Sequence, residues 1–264
     1  MNILFIGDIV GRVGRRILRE KLPYFTKKYK IDFVIANGEN ATHGKGLIHR
    51  QYDELIEAGV DVVTLGNHYN SKSEITKYID KVDRLIRPAN LINDFPGEGT
   101  AIYDVDGVSV RVTNILGSAF ISEQVNSPYY SMLQVLTEEE PAMINIIDFH
   151  GEATGEKMCF ALAFDGKVTA VLGTHTHVQT NDARILPKGT AFISDAGMCG
   201  LYESVLGFES ESVMKKTLYG EMSHFNTPEE GRGLFCGVVI NVNDETGLAN
   251  SIFSIYYVED KNEK

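Results

Sequence analysis

Five short apolar runs punctuate the chain: ILFIG at 3–7, IDFVIAN at 31–37, DVVTLG at 61–66, MINIIDF at 143–149 and VTAVLG at 168–173. Between the early runs lie RRILREKLPYFTKKY, YDELIEAG and KSEITKYIDKV, whose apolar positions recur at helical spacing. Strands rich in Val and Ile that alternate with helices indicate βαβ units and a sheet with helices on its faces. The stretch GTAIYDVDGVSVRVTNILG places Asp106-Gly107 between two alternating runs, which predicts a hairpin with a two-residue turn. The tail, LFCGVVINVNDETGLANSIFSIYYVED, reads as another pair of long strands around a polar turn. Antiparallel additions of this kind suit a second sheet stacked on the first. The expected fold class is therefore α/β, with two stacked mixed β-sheets flanked by helices. Residues 196–233 are Gly-rich and polar around a short helical pattern, ESVMKKTLY. They fit neither sheet and stand as a candidate arm or lid. No internal repeat or linker divides the chain, so residues 1–264 are expected to form a single domain.

The residues just past each apolar run add chemistry. ILFIG is followed by Asp8, FVIANG by Glu39 and Asn40, VVTLG by Asn67 and His68, INIIDF by His150, and TAVLG by His175 and His177. In open α/β sheets the ligand crevice lies outside the carboxyl ends of the strands, so these residues are delivered to one rim. Taken singly, an Asp or Asn after a strand is more often a helix cap or turn former, and a lone histidine is more often a satisfied core residue. Five strand ends that each carry a metal ligand or acid/base group are harder to read as structural. In an extended segment alternate residues point to one side, so His175 and His177 are expected to face a single point, with a metal ion as a candidate occupant. Asp148, Glu152 and Asp195 lie near the rim and are suited to orienting imidazoles. His43, in THGKG, reads as a solvent-facing loop residue, and Arg12, Arg15 and Arg16 as a solvated helix face.

Composition narrows the functions. At 264 residues with 43% hydrophobic content the chain can bury a full core. With 25 Lys and Arg against 36 Asp and Glu, the net charge of −11 disfavours broad nucleic-acid or anionic-membrane binding. The N-terminus has Asp8 inside its apolar stretch and basic residues after it, the reverse of a secretory signal. No segment approaches the ~20 apolar residues of a membrane span. Cys159, Cys199 and Cys236 are odd in number, widely spaced and in apolar company, which predicts buried thiols in a reducing compartment and a cytoplasmic protein.

The order GD, GEN, GNH, FHGE and GTHTHV resembles the calcineurin-like metallophosphoesterases. More closely, NGENATHGKG, GNH, IDFHGEAT and VLGTHTHVQT resemble the YmdB-like phosphodiesterases, a bacterial subfamily, over almost the whole chain. The resemblance implies a metallophosphoesterase-like sandwich with two metal ions. One ion is then held by Asp8, Glu39, Asn40 and His177, the other by Glu39, Asn67, His150 and His175, with Glu39 bridging. The chain departs from the wider superfamily at Val10, where the first motif usually carries histidine; the subfamily resemblance gives Asn40 as the substitute ligand. Glu39 within NGEN stands in for the usual bridging aspartate, and Tyr69 follows His68 where many relatives carry an acidic residue. Mixed nitrogen and oxygen ligands without thiolate suit iron, manganese or zinc rather than calcium, and the resemblance favours iron.

Two divalent ions against Asp8 and Glu39 leave the site near about +2, enough to attract a phosphodiester monoanion to an acidic protein. A hydroxide bridging the ions is the expected nucleophile. His68, assigned to neither metal, is the candidate general acid for the leaving alkoxide; its structural alternative is a hydrogen-bond donor. The leading expectation is a metal-dependent phosphodiesterase acting on small cyclic nucleotides, the 2′,3′-cyclic class being implied by the resemblance. A phosphomonoesterase or protein phosphatase is the second reading, weakened because no Arg or Lys directly follows a motif strand. The third is a regulatory interaction protein that keeps metals for folding and uses 196–233 as a partner surface. The expected partner is a small phosphodiester, with homo-oligomers left open.

Overall fold

The computed structural model describes residues 1–260; positions 261–264 of the expected single domain lie outside the described residues. In chain order the strands are β1 (Asn2–Ile6), β2 (Asp8–Ile9), β3 (Phe33–Asn37), β4 (Val62–Thr64), β5 (Leu85–Ile86), β6 (Thr100–Val105) and β7 (Val108–Leu116). They continue with β8 (Ile144–His150), β9 (Ala170–Thr174), β10 (Arg184–Ile185), β11 (Ala191–Ile193), β12 (Met198–Leu201), β13 (Gly233–Val242) and β14 (Ala249–Val258). The α-helices are α1 (Gly11–Tyr29), α2 (His49–Glu57), α3 (Pro128–Glu138), α4 (Thr154–Ala163) and α5 (Ser210–Thr217).

Among the described residues the strands form an eight-stranded sheet in the order β2-β12-β13-β1-β3-β4-β5, with β14 paired to β13, and a six-stranded sheet in the order β10-β11-β9-β8-β7-β6. Both are mixed, as expected. In the first, β1, β3, β4 and β5 run parallel, as the βαβ pattern requires. The division of strands differs from expectation. β8 and β9 leave the early strands and join the hairpin β6–β7 in the second sheet. The tail hairpin β13–β14 instead enters the first sheet, along the edge of β1 that β3 leaves open. Periodicity identifies a strand but not the edge it occupies, which is set by the packing of the two inner faces.

Those inner faces follow from alternation. Ile3, Phe5, Phe33, Ile35 and Val62 from the first sheet pack against Val110, Val112, Ile144, Ile146, Ala170 and Leu172 from the second. The intervening Leu4, Ile6, Val34, Ala36 and Val63 meet α1 and α2 on the first sheet's other side, while Ile147, Phe149 and Val171 meet α3 and α4. The same period of two carries Asn37, Thr64, Asp148, His150 and Thr174 into the seam between the sheets, at the carboxyl ends of their strands.

Three local expectations are corrected. KSEITKYIDKV forms two 3₁₀ turns, Ser73–Lys77 and Ile79–Lys81; its β-branched residues weaken an α-helix, and the tighter turns still bury Ile75, Tyr78 and Ile79. The 196–233 segment contributes β12, which pairs with both β13 and β2, before leaving the sheet for α5 and its flanking loops. Cys199 and Cys236 are buried and free, but Cys159 is exposed, because the inward face of α4 is made by Lys157, Phe160 and Ala161. The Asp106-Gly107 turn is as expected, with φ of 51° and 84°. No helix among the described residues is long and apolar enough to cross a membrane.

Candidate metal centre

The carboxyl ends of β1, β3, β4, β8 and β9 bring all eight candidate site residues to one rim of the seam. His150 is fully buried, and its Nε2 is a focal point. Glu39 Oε1, Asn67 Oδ1 and His175 Nδ1 each lie 3.0 Å from it. Metal–ligand bonds of about 2.0–2.2 Å imply ligand–ligand edges of roughly 3.0–3.4 Å, so this spacing fits a single ion. Glu39, His150 and His175 also have ligand atoms all within 4.8 Å of one another.

A second group shares Glu39. The side-chain amide nitrogen of Asn40 lies 3.1 Å from Asp8 Oδ1, 3.1 Å from His177 Nε2 and 3.5 Å from Glu39 Oε1. A half-turn of that amide presents its oxygen to the same point. His177 Nε2 is 3.6 Å from Asp8 Oδ1. The two histidines of the H-x-H motif therefore serve adjacent groups and do not converge on one point. The reason is local: β9 ends at Thr174, and His175 and His177 take φ of 104° and 66° in place of extended backbone. Such conformations are uncommon for non-glycine residues and persist only where surroundings impose them.

Each ring is turned by an oxygen on its far nitrogen. His150 Nδ1 is 2.9 Å from Thr174 Oγ1, whose hydroxyl donates to Asp148 Oδ1 at 2.6 Å. His175 Nε2 is 3.2 Å from Glu152 Oε2, and His177 Nδ1 is 2.9 Å from the carbonyl of Leu206. These partners take the ring protons and leave the lone pairs facing inward. Of the rim carboxylates, Glu152 thus touches an imidazole directly and Asp148 acts through Thr174. Asp195 contacts none; it accepts from the backbone N–H of Thr176 and from Lys157 Nζ, both at 3.0 Å.

Asp148 also joins the two sheets. Its Oδ2 accepts from Asn37 Nδ2 at 2.9 Å and Thr64 Oγ1 at 2.5 Å, both in the first sheet. Asn37, Thr64, Thr174 and Lys157 escape a reading that looks only past the strand ends. Their signal is polar residues at alternate positions of buried strands, and a lysine on the apolar face of α4.

Burial sets the protonation states. Desolvation pushes His150 and His175 down to about 4, so both are neutral at pH 7 with lone pairs available. It raises the carboxyls of Asp8 and Glu39, the neighbouring histidines working against it. Buried anionic ligands of this kind favour an added cation. Asp148 is pushed up to about 7 by burial, against its three side-chain hydrogen bonds. His68 is half-buried, with its backbone N–H donating to Glu39 Oε2 at 2.8 Å and its Nδ1 3.4 Å from the amide of Asn67. Burial holds it at about 4, with Glu39 opposing and Lys45 assisting. His43 is exposed with φ of 53°, as its loop position suggested.

A family model described as "YmdB-like protein" matches residues 4–255. The 2′,3′-cyclic-nucleotide 2′-phosphodiesterase of Bacillus subtilis (strain 168) is 43% identical, over 98% of both chains. A crystal structure described as a novel phosphatase from Mycoplasma pneumoniae superposes with a TM-score of 0.92 at 35% identity, covering 99% of this chain and 95% of that one. A hypothetical protein of Thermus thermophilus does so with a TM-score of 0.92 at 38% identity, covering 98% and 100%.

Proposed function

The chain belongs to the YmdB-like protein family, and from that premise we propose that it is a phosphodiesterase of small cyclic nucleotides that works with two metal ions. The observation that carries the proposal is the pair of ligand groups meeting at Glu39, one around His150 Nε2 and one around Asn40. Glu39, Asn67, His150 and His175 would hold one ion, and Asp8, Glu39, Asn40 and His177 the other. The donor set suits iron, manganese or zinc, and the family resemblance favours iron. Ions bound there acidify water and withdraw charge from phosphoryl oxygens. The 2′,3′-cyclic class is carried over from the Bacillus subtilis relative.

The chain's own residues supply orientation and a proton. Thr174, Glu152 and the Leu206 carbonyl fix the three rings, so the ligand lone pairs are aimed before substrate arrives. His68 borders this centre without belonging to either group and is assigned to the leaving oxygen. It is neutral in the free site and keeps one ring N–H to donate. An arriving phosphodiester adds a negative charge that favours the imidazolium. Elemental analysis of protein purified without chelators, paired with turnover of bis-p-nitrophenyl phosphate and p-nitrophenyl phosphate, tests the reading. Two metals and diester turnover are expected. Monoester preference would favour a phosphatase, and metal without turnover would remove the enzyme assignment. Glu39→Gln should lower occupancy at both positions; loss of one ion alone would make Glu39 a terminal ligand.

A further inference from the structure

α1 carries arginines at positions 12, 15, 16 and 19, three and four apart and hence aligned along one stripe. With Arg50 and Glu54 of α2 they line a cavity of about 380 Å³. Glu54 is the one carboxylate in its lining, while Glu20, Glu229 and Glu259 pair with arginines of α1 from beside it. The arrangement is unfavourable for the helix itself. Like charges at these spacings repel, and Arg12 opposes the helix dipole in a first turn that has no acidic residue.

Two of the five heads are committed. Arg16 grips Glu259 with Nη1 at 2.8 Å and Nη2 at 2.7 Å. Arg15 pairs with Glu54 through Nε at 2.7 Å and donates from Nη1 to the carbonyl of Ala41. The other three are loosely held. Arg50 is 83% exposed and meets the same Glu54 through Nε at 3.3 Å. Arg12 and its partner Glu229 are 62% and 73% exposed, a pairing that contributes little in water. Arg19 is exposed and makes no ion pair among the described residues. Three available guanidinium forks around one cleft match the oxygens of a phosphate group. The cleft also adjoins the metal centre, since Ala41, held by Arg15, directly follows Asn40.

We propose that the cleft between α1 and α2 is a second anion site, which takes a phosphate group other than the one being hydrolysed. That phosphate is either a further phosphate of an oligonucleotide substrate, an option that rests on the phosphodiesterase reading, or a separate phosphate-rich ion.

The test variant is Arg19→Glu/Arg50→Glu, both heads being exposed and neither bonded to a candidate metal ligand. Metal-loaded wild type and variant are titrated calorimetrically with inorganic tripolyphosphate at fixed ionic strength. Heat from contact with the metals persists in both proteins. The cleft should add a distinct binding step in the wild type, weakened about tenfold or more in the variant. A second arm compares KM for a 2′,3′-cyclic mononucleotide with KM for a dinucleotide ending in the same cyclic phosphate. A rise confined to the dinucleotide identifies the substrate's own phosphate; equal KM values with the titration step lost identify a separate ion. If the titration step is missing or survives in the variant, and the dinucleotide KM is unchanged, the cleft is not an anion site. Should neither nucleotide be hydrolysed, the phosphodiesterase reading fails and the titration alone decides the cleft. Arg19→Gln/Arg50→Gln replaces the reversal if thermal unfolding shows that it disturbs the fold.

Discussion

Lys157 Nζ lies 3.0 Å from Asp195 Oδ2, with both side chains essentially inaccessible to water. The pair grips the chain on either side of His175: Lys157 donates to the carbonyl of Thr174 at 2.8 Å, and Asp195 accepts from the N–H of Thr176 at 3.0 Å. The positive φ of His175 is held by this clamp. Lys157→Met strands a buried carboxylate, so the unfolding free energy should fall by about 3–5 kcal/mol. Urea denaturation checks it. A midpoint equal to wild type would mean that the clamp carries no net stabilisation.

Gly66 ends the strand-end motif before Asn67 because no side chain fits there. A Cβ at this position would run into the His150 ring and come within 2.5 Å of Glu39 Oε2. Gly66→Ala should therefore displace two candidate ligands and empty at least one metal position, with near-native secondary structure. Elemental analysis beside circular dichroism reads both, and full metal occupancy would contradict the crowding argument.

On the proposed two-metal phosphodiesterase reading, His68→Ala should keep both ions and lower kcat by about 10²–10⁴-fold on a cyclic nucleotide, whose alkoxide needs a proton to depart. A p-nitrophenyl diester, whose phenolate leaves unaided, should be affected much less. Equal losses on the two substrates with metal retained would replace the acid role by substrate positioning.

Glu259 provides a pH-dependent contribution to stability through Arg16 and Gly233, neither of which is a candidate metal ligand. Its hydrogen bonds with Arg16 are the main cause holding its carboxyl at about 2, and the N–H of Gly233 adds to them at 2.7 Å. A depressed carboxyl stabilises the fold above its unfolded pKa of about 4.3, and that stability is lost as pH falls toward the folded value. Glu259→Gln should be less stable at pH 7 by about 2 kcal/mol. The gap should hold down to about pH 5 and narrow between about pH 4 and 2. A gap independent of pH over that range would remove the ion pair as its cause.

Much of the candidate centre is legible in the sequence because each ligand candidate directly follows an apolar run, and strand ends are where open sheets deliver chemistry. Less legible is what orients them. Thr174 reads as one more β-branched strand residue until β8 and β9 lie side by side and its hydroxyl falls between His150 and Asp148. Lys157 sits 38 positions from Asp195, a relationship that no local pattern encodes. The backbone of the H-x-H segment departs from expectation for a related reason. Alternation assumes an extended chain, whereas the grip on residues 174 and 176 and the carbonyl of Leu206 hold both histidines at positive φ. The assignment of strands to sheets likewise depends on which apolar faces meet, a property of the assembled sandwich.

The division of the centre between the two sheets has an evolutionary consequence. The oxygen-bearing candidates Asp8, Glu39, Asn40 and Asn67 come from the first sheet and its loops, while His150, His175 and His177 come from the second. The second sheet, β6 to β11, is encoded by one uninterrupted stretch, Thr100–Ile193. Exchange of that stretch between homologous genes would replace the imidazole half of the site in a single recombination and leave the carboxylate half untouched. Hard and borderline donors can thus drift as separate inheritable blocks, which gives the scaffold a direct route to retuning metal preference. Such a crossover must bring Asp148 and Thr174 with it, so that the incoming block still meets Asn37 and Thr64 across the seam.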